Sequence, residues 1–367
     1  MQQLVFRGRG SLNAANIVAL MAETGMQRPM LVCSQRMEKD FAARTGLTLP
    51  LFCGYHPNPD LADAVAGAEM YRAAGCDGLI SVSGGSAMDT AKAVKALLLA
   101  GDMEAVRRNQ LPEGKLPHIA IPGTAGTGAE ATPIAVVYEN NEKLSLDHPI
   151  LLPEAILLDG SMLDTLPLYH KKACAMDALC QGIESFWAVK ATAGSRVHAE
   201  QAILGVLRNM DAYLAGDAAA ADAVLEAAYE SGCAIRISRT TAAHAMSYQI
   251  TKRVGPAHGH ACMLTLPHLW RHMGDVPVIR ELNALMGTLD GADLLLGLLA
   301  ATDMLPDAMP DDATLDALAA SVNVERLGNH PEKLSQEALR AIYVQAFNPV
   351  TEDERVRLAA LWRKYAE

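Results

Sequence analysis

The stretch Gly78-Leu-Ile-Ser-Val82-Ser83-Gly84-Gly85-Ser86-Ala-Met-Asp89-Thr-Ala-Lys92 carries a short apolar run into a glycine pair and then into residues at helical spacing. A strand that feeds a helix through such a turn is a building block of parallel α/β architecture. Pro29-Met-Leu-Val-Cys33 and His118-Ile-Ala-Ile121 repeat the apolar run, and 12–24, 60–74 and 86–99 space their apolar residues as helices do. The first half is therefore expected to be an α/β domain with a mainly parallel sheet. Past about residue 165 the β-branched runs thin out, and Ala- and Leu-rich stretches such as 195–214 and 217–237 predict an all-α second half. No repeat, low-complexity segment or long linker separates the halves, so directly packed domains at 1–163 and 164–367 are expected, with the active site in the cleft between them.

The glycine turn is also a candidate ligand site. Gly84 and Gly85 let a backbone approach a ligand, and the free N–H groups of a helix start, here led by Ser86, bind phosphate. Asp89 in the first turn suits the helix dipole. The pattern is not the GxGxxG dinucleotide fingerprint. A second loop, Ile121-Pro-Gly123-Thr124-Ala-Gly126-Thr127-Gly128-Ala-Glu130, again follows an apolar strand and interleaves glycines with hydroxyls. Two such loops in one α/β domain suggest a dinucleotide.

Composition narrows the partners. At 367 residues, with 50% hydrophobic and 20% charged content, the chain can build two cores and is not a disordered polymer. A net charge of −11 opposes nucleic acid and anionic membranes, so an anionic ligand would need a local basic pocket. Seven cysteines, odd in number and without a CxxC pair, fit buried thiols in a reducing compartment. The N-terminal residues lack the layout of a signal peptide, and no apolar run nears the roughly 20 residues of a membrane helix. A cytoplasmic protein is expected, with a homodimer or higher homo-oligomer as its assembly.

A second chemical signal lies in His244-Ala-Met-Ser-Tyr248-Gln-Ile-Thr-Lys252-Arg253-Val-Gly-Pro-Ala-His258-Gly-His260. Imidazoles with a hard carboxylate hold Zn²⁺ or Fe²⁺, and a catalytic site keeps a position open for substrate. The carboxylate candidate is Asp177, which helical spacing places on one face with Gln181 and Glu184. Histidines 244, 258, 260, 268 and 272 crowd one segment of a chain that has 11 in all.

Gly-Gly-Ser-x-x-Asp-Thr-Ala-Lys, Thr-Ala-Gly-Thr-Gly-x-Glu, Leu-Pro-Glu-Ala-Ile-Leu-Leu-Asp159, Met-Asp177-Ala-Leu and His244-Ala-Met…His258-Gly together resemble the signature blocks of the iron-containing (group III) alcohol dehydrogenases, colinear from about residue 30 to 270. The resemblance implies a Rossmann-like NAD(P)H domain, a helical metal domain of the kind shared with dehydroquinate synthase, and hydride transfer between an alcohol and a carbonyl. By position it implies Asp177, His244 and His258 as metal ligands. Gly84, Gly85, Ser86, Thr124 and Thr127 fall on the cofactor loops, and Lys143 near the nicotinamide. The family's usual metal histidine is replaced by Gln181, a weaker neutral ligand, and its second histidine after His244 is replaced by Tyr248. Proton transfer then falls to Tyr248, His260, His268 or water.

Gln181-Gly-Ile-Glu-Ser-Phe-Trp187, Thr-Thr-Ala-Ala-His244-Ala-Met-Ser-Tyr248 and His258-Gly-His260-Ala further resemble the branch linked to phosphonate metabolism, similar to phosphonoacetaldehyde reductases that form 2-hydroxyethylphosphonate. Arg236, Arg239, Lys252 and Arg253 flank the histidine block and suit an oxyanion. Where NAD-preferring members of the family carry Asp, the chain has Ser34, followed by Gln35 and Arg36, which leans the expectation toward NADPH. A diol, lactaldehyde or simple alcohol is the alternative substrate. A dehydroquinate-synthase-like lyase and a catalytically dead binding protein are the alternatives of another class.

Overall fold

The computed structural model describes residues 3–140, 142–323 and 327–367. The chain divides into two compact units, Met1–Thr165 and Leu166–Glu367.

In the first unit β1 (Leu4–Arg7), β2 (Pro29–Val32), β3 (Leu51–Phe52), β4 (Gly78–Ser83), β5 (His118–Pro122) and β8 (Ala155–Leu158) form one sheet in the order β1-β8-β5-β4-β2-β3. Every pairing in it is parallel. The alternation of side chains sorts neighbours onto opposite faces. Met30, Val32 and Leu79 join one apolar cluster, whereas Leu31, Ile80 and Val82 join another. Covering both faces is what makes these strands near-continuous apolar runs in sequence. The hairpin β6 (Ile134–Glu139) and β7 (Glu142–Asp147) stands apart as an antiparallel pair. Strands β1, β3 and β8 and this hairpin are additions to the three strands the sequence predicts.

The helices α1 (Ala14–Thr24), α2 (Gln35–Thr45), α3 (Leu61–Ala73), α4 (Gly85–Ala100) and α5 (Met103–Arg107) belong to this unit. Since β4 and β5 are adjacent and parallel, the loops after them emerge side by side at the carboxyl edge of the sheet. That edge is where open α/β sheets take ligands.

Among its described residues the second unit contains helices and no strand. Its centre is α6 (Leu168–Trp187), packed by α7 (Ala193–Leu214), α8 (Ala218–Ser238) and α10 (His258–Met273), with α9 (Ala242–Arg253) against α10. Helices Pro277–Met286, Gly291–Ala301, Asp312–Ala320, Gln336–Phe347 and Glu352–Ala366 complete it. Gly259 explains how α10 reaches α6: a Cβ there would sit 2.1 Å from the Ala173 carbonyl and 2.5 Å from Asp177 Cβ. Only a bare backbone permits that approach, and the approach delivers the neighbouring His258 to Asp177.

Candidate functional site

In the first unit the two glycine loops interlock. A Cβ on Gly84 would meet the Thr124 side chain at 3.2 Å, and one on Gly85 would meet Thr127 at 3.2 Å. Gly84 is the N-cap of α4 and has no side chain to cap it, so the N–H groups of the helix start are not taken by the cap residue. Ser86 Oγ accepts from the Asn58 N–H at 3.3 Å. Asp89 lies between the charges of Lys92 and Lys143, and burial still pushes its carboxyl up to about 6. Lys143 sits on β7 opposite Tyr138. Sequence reading passed over Lys92, which is fully buried. Its Nζ donates to the carbonyls of Ala129 and Ile134 at 2.6 and 2.7 Å. A cation inside the fold thereby fixes the segment that follows the second glycine loop.

Ser34 is exposed and caps α2, its Oγ accepting the Met37 N–H at 3.3 Å. Arg36 is exposed in the first turn of the same helix.

In the second unit, ligand atoms of Asp177, His244, His258 and Cys262 lie within 4.8 Å of one another. Asp177 Oδ1 is 3.2 Å from His244 Nε2 and 3.9 Å from His258 Nε2. Each imidazole is fixed from behind. The Glu184 carboxylate accepts from His244 Nδ1, and its other oxygen takes the Thr241 N–H, the Thr241 hydroxyl and the Ala243 N–H at 3.2, 2.7 and 2.7 Å. Ser247 Oγ spends its one hydrogen on the His244 carbonyl at 2.9 Å, so at 3.2 Å it must accept from His258 Nδ1. Both rings therefore direct Nε2 at Asp177. Such outer partners set the tautomer that a metal needs.

The charges agree with a cation at this point. Burial opposes ionisation of His258, but Cys262 and Asp177 outweigh it and push the ring up to about 9. His244 rises well above its ordinary value, burial being outweighed by Cys262, Glu184 and Asp177. Asp177 and Glu184 stay below the usual carboxylate range despite burial, Asp177 chiefly through His244 and His258, Glu184 through His244 and the donors of Thr241 and Ala243. The Cys262 thiol falls to about 7 because His244 and His258 outweigh its burial. One buried carboxylate, two imidazoles and an acidic thiol converging on one point are a donor set for a borderline divalent ion.

Of the other expected residues, Tyr248 joins this group, its ring stacked on His258 at 5.4 Å between centroids. Gln181 lies beside it, with Oε1 accepting from Ser231 Oγ at 2.8 Å. His260 is turned to other partners: its Nε2 meets the Met304 carbonyl at 2.8 Å and its Nδ1 the Tyr169 hydroxyl at 3.2 Å. His268 is buried, which drives its pKa down to about 4. Lys252 and Arg253 are exposed at the end of α9, Arg253 tied to Gln249 at 3.0 Å. Arg239 ends α8 with a positive φ of 64°, its guanidinium on the Arg236 carbonyl at 3.2 Å. Cys262 was missed as a site residue although the signal was present, four residues after His258 on one helix face. Glu184 was placed on the right face without a role.

Sequence comparison agrees with this geometry. Residues 3–160 match the model for iron-containing alcohol dehydrogenase, and residues 172–354 the C-terminal model of the Fe-containing alcohol dehydrogenase family. The chain belongs to the iron-containing alcohol dehydrogenase family. It is 35% identical over 315 residues to a phosphonoacetaldehyde reductase of Streptomyces viridochromogenes, covering 77% of this chain and 80% of that protein. Identity to a lactaldehyde reductase of Escherichia coli is 28% over 287 residues, 73% of each chain. The crystal structure of sulfoacetaldehyde reductase from Bifidobacterium kashiwanohense in complex with NAD⁺ aligns at a TM-score of 0.86 and 26% identity, covering 95% of this chain and 98% of that one. As an iron-containing alcohol dehydrogenase, the protein is a metal- and NAD(P)-dependent oxidoreductase of small alcohols and aldehydes, which sets aside the lyase and the inert binding protein. No single helix among its described residues is long and apolar enough to cross a membrane.

Proposed function

We propose that the protein reduces a short aldehyde carrying a tetrahedral oxyanion, with phosphonoacetaldehyde going to 2-hydroxyethylphosphonate as the leading case. The observation that carries this reading is the 35% identity over 315 residues to a phosphonoacetaldehyde reductase. The sulfoacetaldehyde reductase that shares the fold acts, by its description, on an aldehyde of the same general shape.

Asp177, His244 and His258 hold the divalent ion, and Gln181 braces Asp177 from the side. The ion supplies Lewis acidity toward a carbonyl oxygen, and the nicotinamide supplies the hydride. Glu184 and Ser247 keep both imidazoles in the tautomer that leaves Nε2 free. Tyr248, stacked on His258, is the proton donor to the carbonyl oxygen and recovers its proton from water. Lys252, two helical turns beyond His244 on the Tyr248 face of α9, draws the anionic end of the substrate, with Arg239 and Arg253 contributing to the same field. Gly84, Gly85, Ser86, Thr124 and Thr127 cradle the dinucleotide phosphates, and Asp89 and Lys143 form the polar floor beside them. Because Ser34 leaves no carboxylate to repel a 2′-phosphate, NADPH serves at least as well as NADH.

Steady-state kinetics of the Fe²⁺- and Zn²⁺-loaded enzyme test this with NADPH and NADH. The panel is phosphonoacetaldehyde, sulfoacetaldehyde, lactaldehyde and acetaldehyde. The expected outcome is the highest kcat/KM with phosphonoacetaldehyde and a rise in KM for it, not for acetaldehyde, in Lys252→Ala. Equal kcat/KM for acetaldehyde and phosphonoacetaldehyde overturns the substrate assignment, and a tenfold or greater preference for NADH overturns the cofactor assignment.

A further inference from the structure

Position 181 is where this chain parts from a three-imidazole metal site, and the structure shows what the amide does instead. Gln181 Oε1 is taken by the Ser231 hydroxyl at 2.8 Å, and the Gln181 side chain hydrogen-bonds Asp177. The amide works as a brace for the carboxylate, while its oxygen shares the Ser231 hydroxyl with the Ala228 carbonyl, also at 2.8 Å. A neutral amide would in any case be a weak ligand beside thiolate or imidazole.

The replacement comes from another helix. Cys262 is fully buried on α10, one turn after His258. Its Sγ lies 3.9 Å from His258 Nε2 and bonds the His244 side chain as well. A packing cysteine faces apolar neighbours, whereas this one faces two imidazoles and a carboxylate. The spacing is that of a coordination shell. With a metal–sulfur distance of about 2.3 Å and metal–nitrogen or metal–oxygen distances of about 2.0–2.1 Å, tetrahedral edges are about 3.6 Å from sulfur to nitrogen and about 3.3 Å from nitrogen to oxygen. The observed edges are 3.9 Å for Cys262–His258, 3.2 Å for His244–Asp177 and 3.9 Å for His258–Asp177. The His244–Asp177 edge at 3.2 Å already matches, the Cys262 edge at 3.9 Å is about 0.3 Å long, and the His258–Asp177 edge at 3.9 Å has about 0.6 Å to close.

We propose that the Cys262 sulfur is a metal ligand, taking the place of the imidazole that position 181 lacks, and that it tilts the site from Fe²⁺ toward Zn²⁺ and Co²⁺. The inference rests on Asp177, His244 and His258 being the site of the ion. Binding converts the thiol to a thiolate, and the proton leaves to solvent as the metal–sulfur bond forms. A soft thiolate in place of an imidazole favours Zn²⁺ over the harder ferrous ion.

X-ray absorption of the reduced, full-length protein loaded with one equivalent of Zn²⁺ reads the shell directly. The expected result is one sulfur at about 2.3 Å beside nitrogen and oxygen at about 2.0–2.1 Å. A shell of nitrogen and oxygen alone overturns the proposal while leaving the metal site intact. Failure to retain Zn²⁺ in stoichiometric amount overturns the underlying site as well. Cys262→Ser, nearly isosteric, is expected to lose the sulfur shell and, in the Co²⁺ form, the near-ultraviolet thiolate-to-cobalt charge-transfer band. It is also expected to narrow the preference for Zn²⁺ over Fe²⁺ in competition; an unchanged preference overturns the selectivity claim. Should the variant fail to fold, the wild-type spectrum decides the ligand alone.

Discussion

Glu184 shows how much of this site is decided one residue behind the candidate ligands. One of its oxygens gathers three donors from Thr241 and Ala243, and the other faces His244 Nδ1. In Glu184→Gln the amide oxygen keeps the three donors and the NH₂ turns to the imidazole. Nδ1 must then accept, which moves the ring proton to Nε2, the atom that faces Asp177. Metal affinity should fall roughly 10–100-fold, as for other partners of metal-bound histidines, with the far-ultraviolet circular dichroism unchanged. Competition against a chromophoric chelator measures it, and an unaltered affinity means that Glu184 does not set the tautomer. The residue types at 177, 244 and 258 were enough to nominate the ligands from sequence. The pairing of Glu184 with His244 was not legible, because nothing in helical spacing says which of two distant helices a carboxylate will touch.

The helix α4 and the loop after β5 act as one element. The close approach of Gly85 to Thr127, at 3.2 Å from an added Cβ, leaves no room for a branched side chain. Gly85→Val should displace the Thr127 loop and cover the N–H groups at the helix start. NADPH binding, followed by fluorescence titration, is then expected to weaken severely, while metal content by elemental analysis stays near the wild-type level because the ligands lie in the other unit. An unchanged titration would remove the phosphates from this turn. The strand-glycine-helix order was readable because it is local. That Thr124 covers Gly84 and Thr127 covers Gly85 required knowing that β4 and β5 are neighbours in the sheet.

At the scale of the molecule, buried histidines set the acid limit. His268 and His330 are pushed down to about 4 by burial, and His118, inside the parallel sheet, lies well below its ordinary value. In the folded chain they stay neutral as pH falls below 6.5, whereas the unfolded chain takes up the protons. Stability is therefore full above about pH 6.5 and declines toward pH 4, by on the order of 3 kcal/mol for each of His268 and His330. Asp89, held up at about 6, works in the opposite direction below that pH, because the folded state then binds the extra proton. His244 and His258, held above their ordinary values, gain little more once pH is below 6.5, and Asp177 and Glu184, held below theirs, add to the loss toward acid, so the balance is a net loss. The thermal midpoint of the metal-free protein should drop between pH 7 and pH 4.5, and a flat profile would contradict the burial of these rings.

The sequence by itself determined the α/β first half, the helical second half and the two glycine loops, and it nominated Asp177, His244 and His258 as ligands, since each rests on local periodicity, local backbone freedom or residue chemistry. Only the tertiary structure decided which groups meet. His260 is as close in sequence to His258 as any candidate, yet its ring nitrogens go to Met304 and Tyr169. Cys262, counted from the sequence among the buried thiols of a reducing compartment, is brought to His244, His258 and Asp177 by an α10 that Gly259 allows against α6. The helical repeat places a side chain on a face, but the partner of that face is set by packing between helices tens of residues apart, where a single missing Cβ fixes the distance of approach.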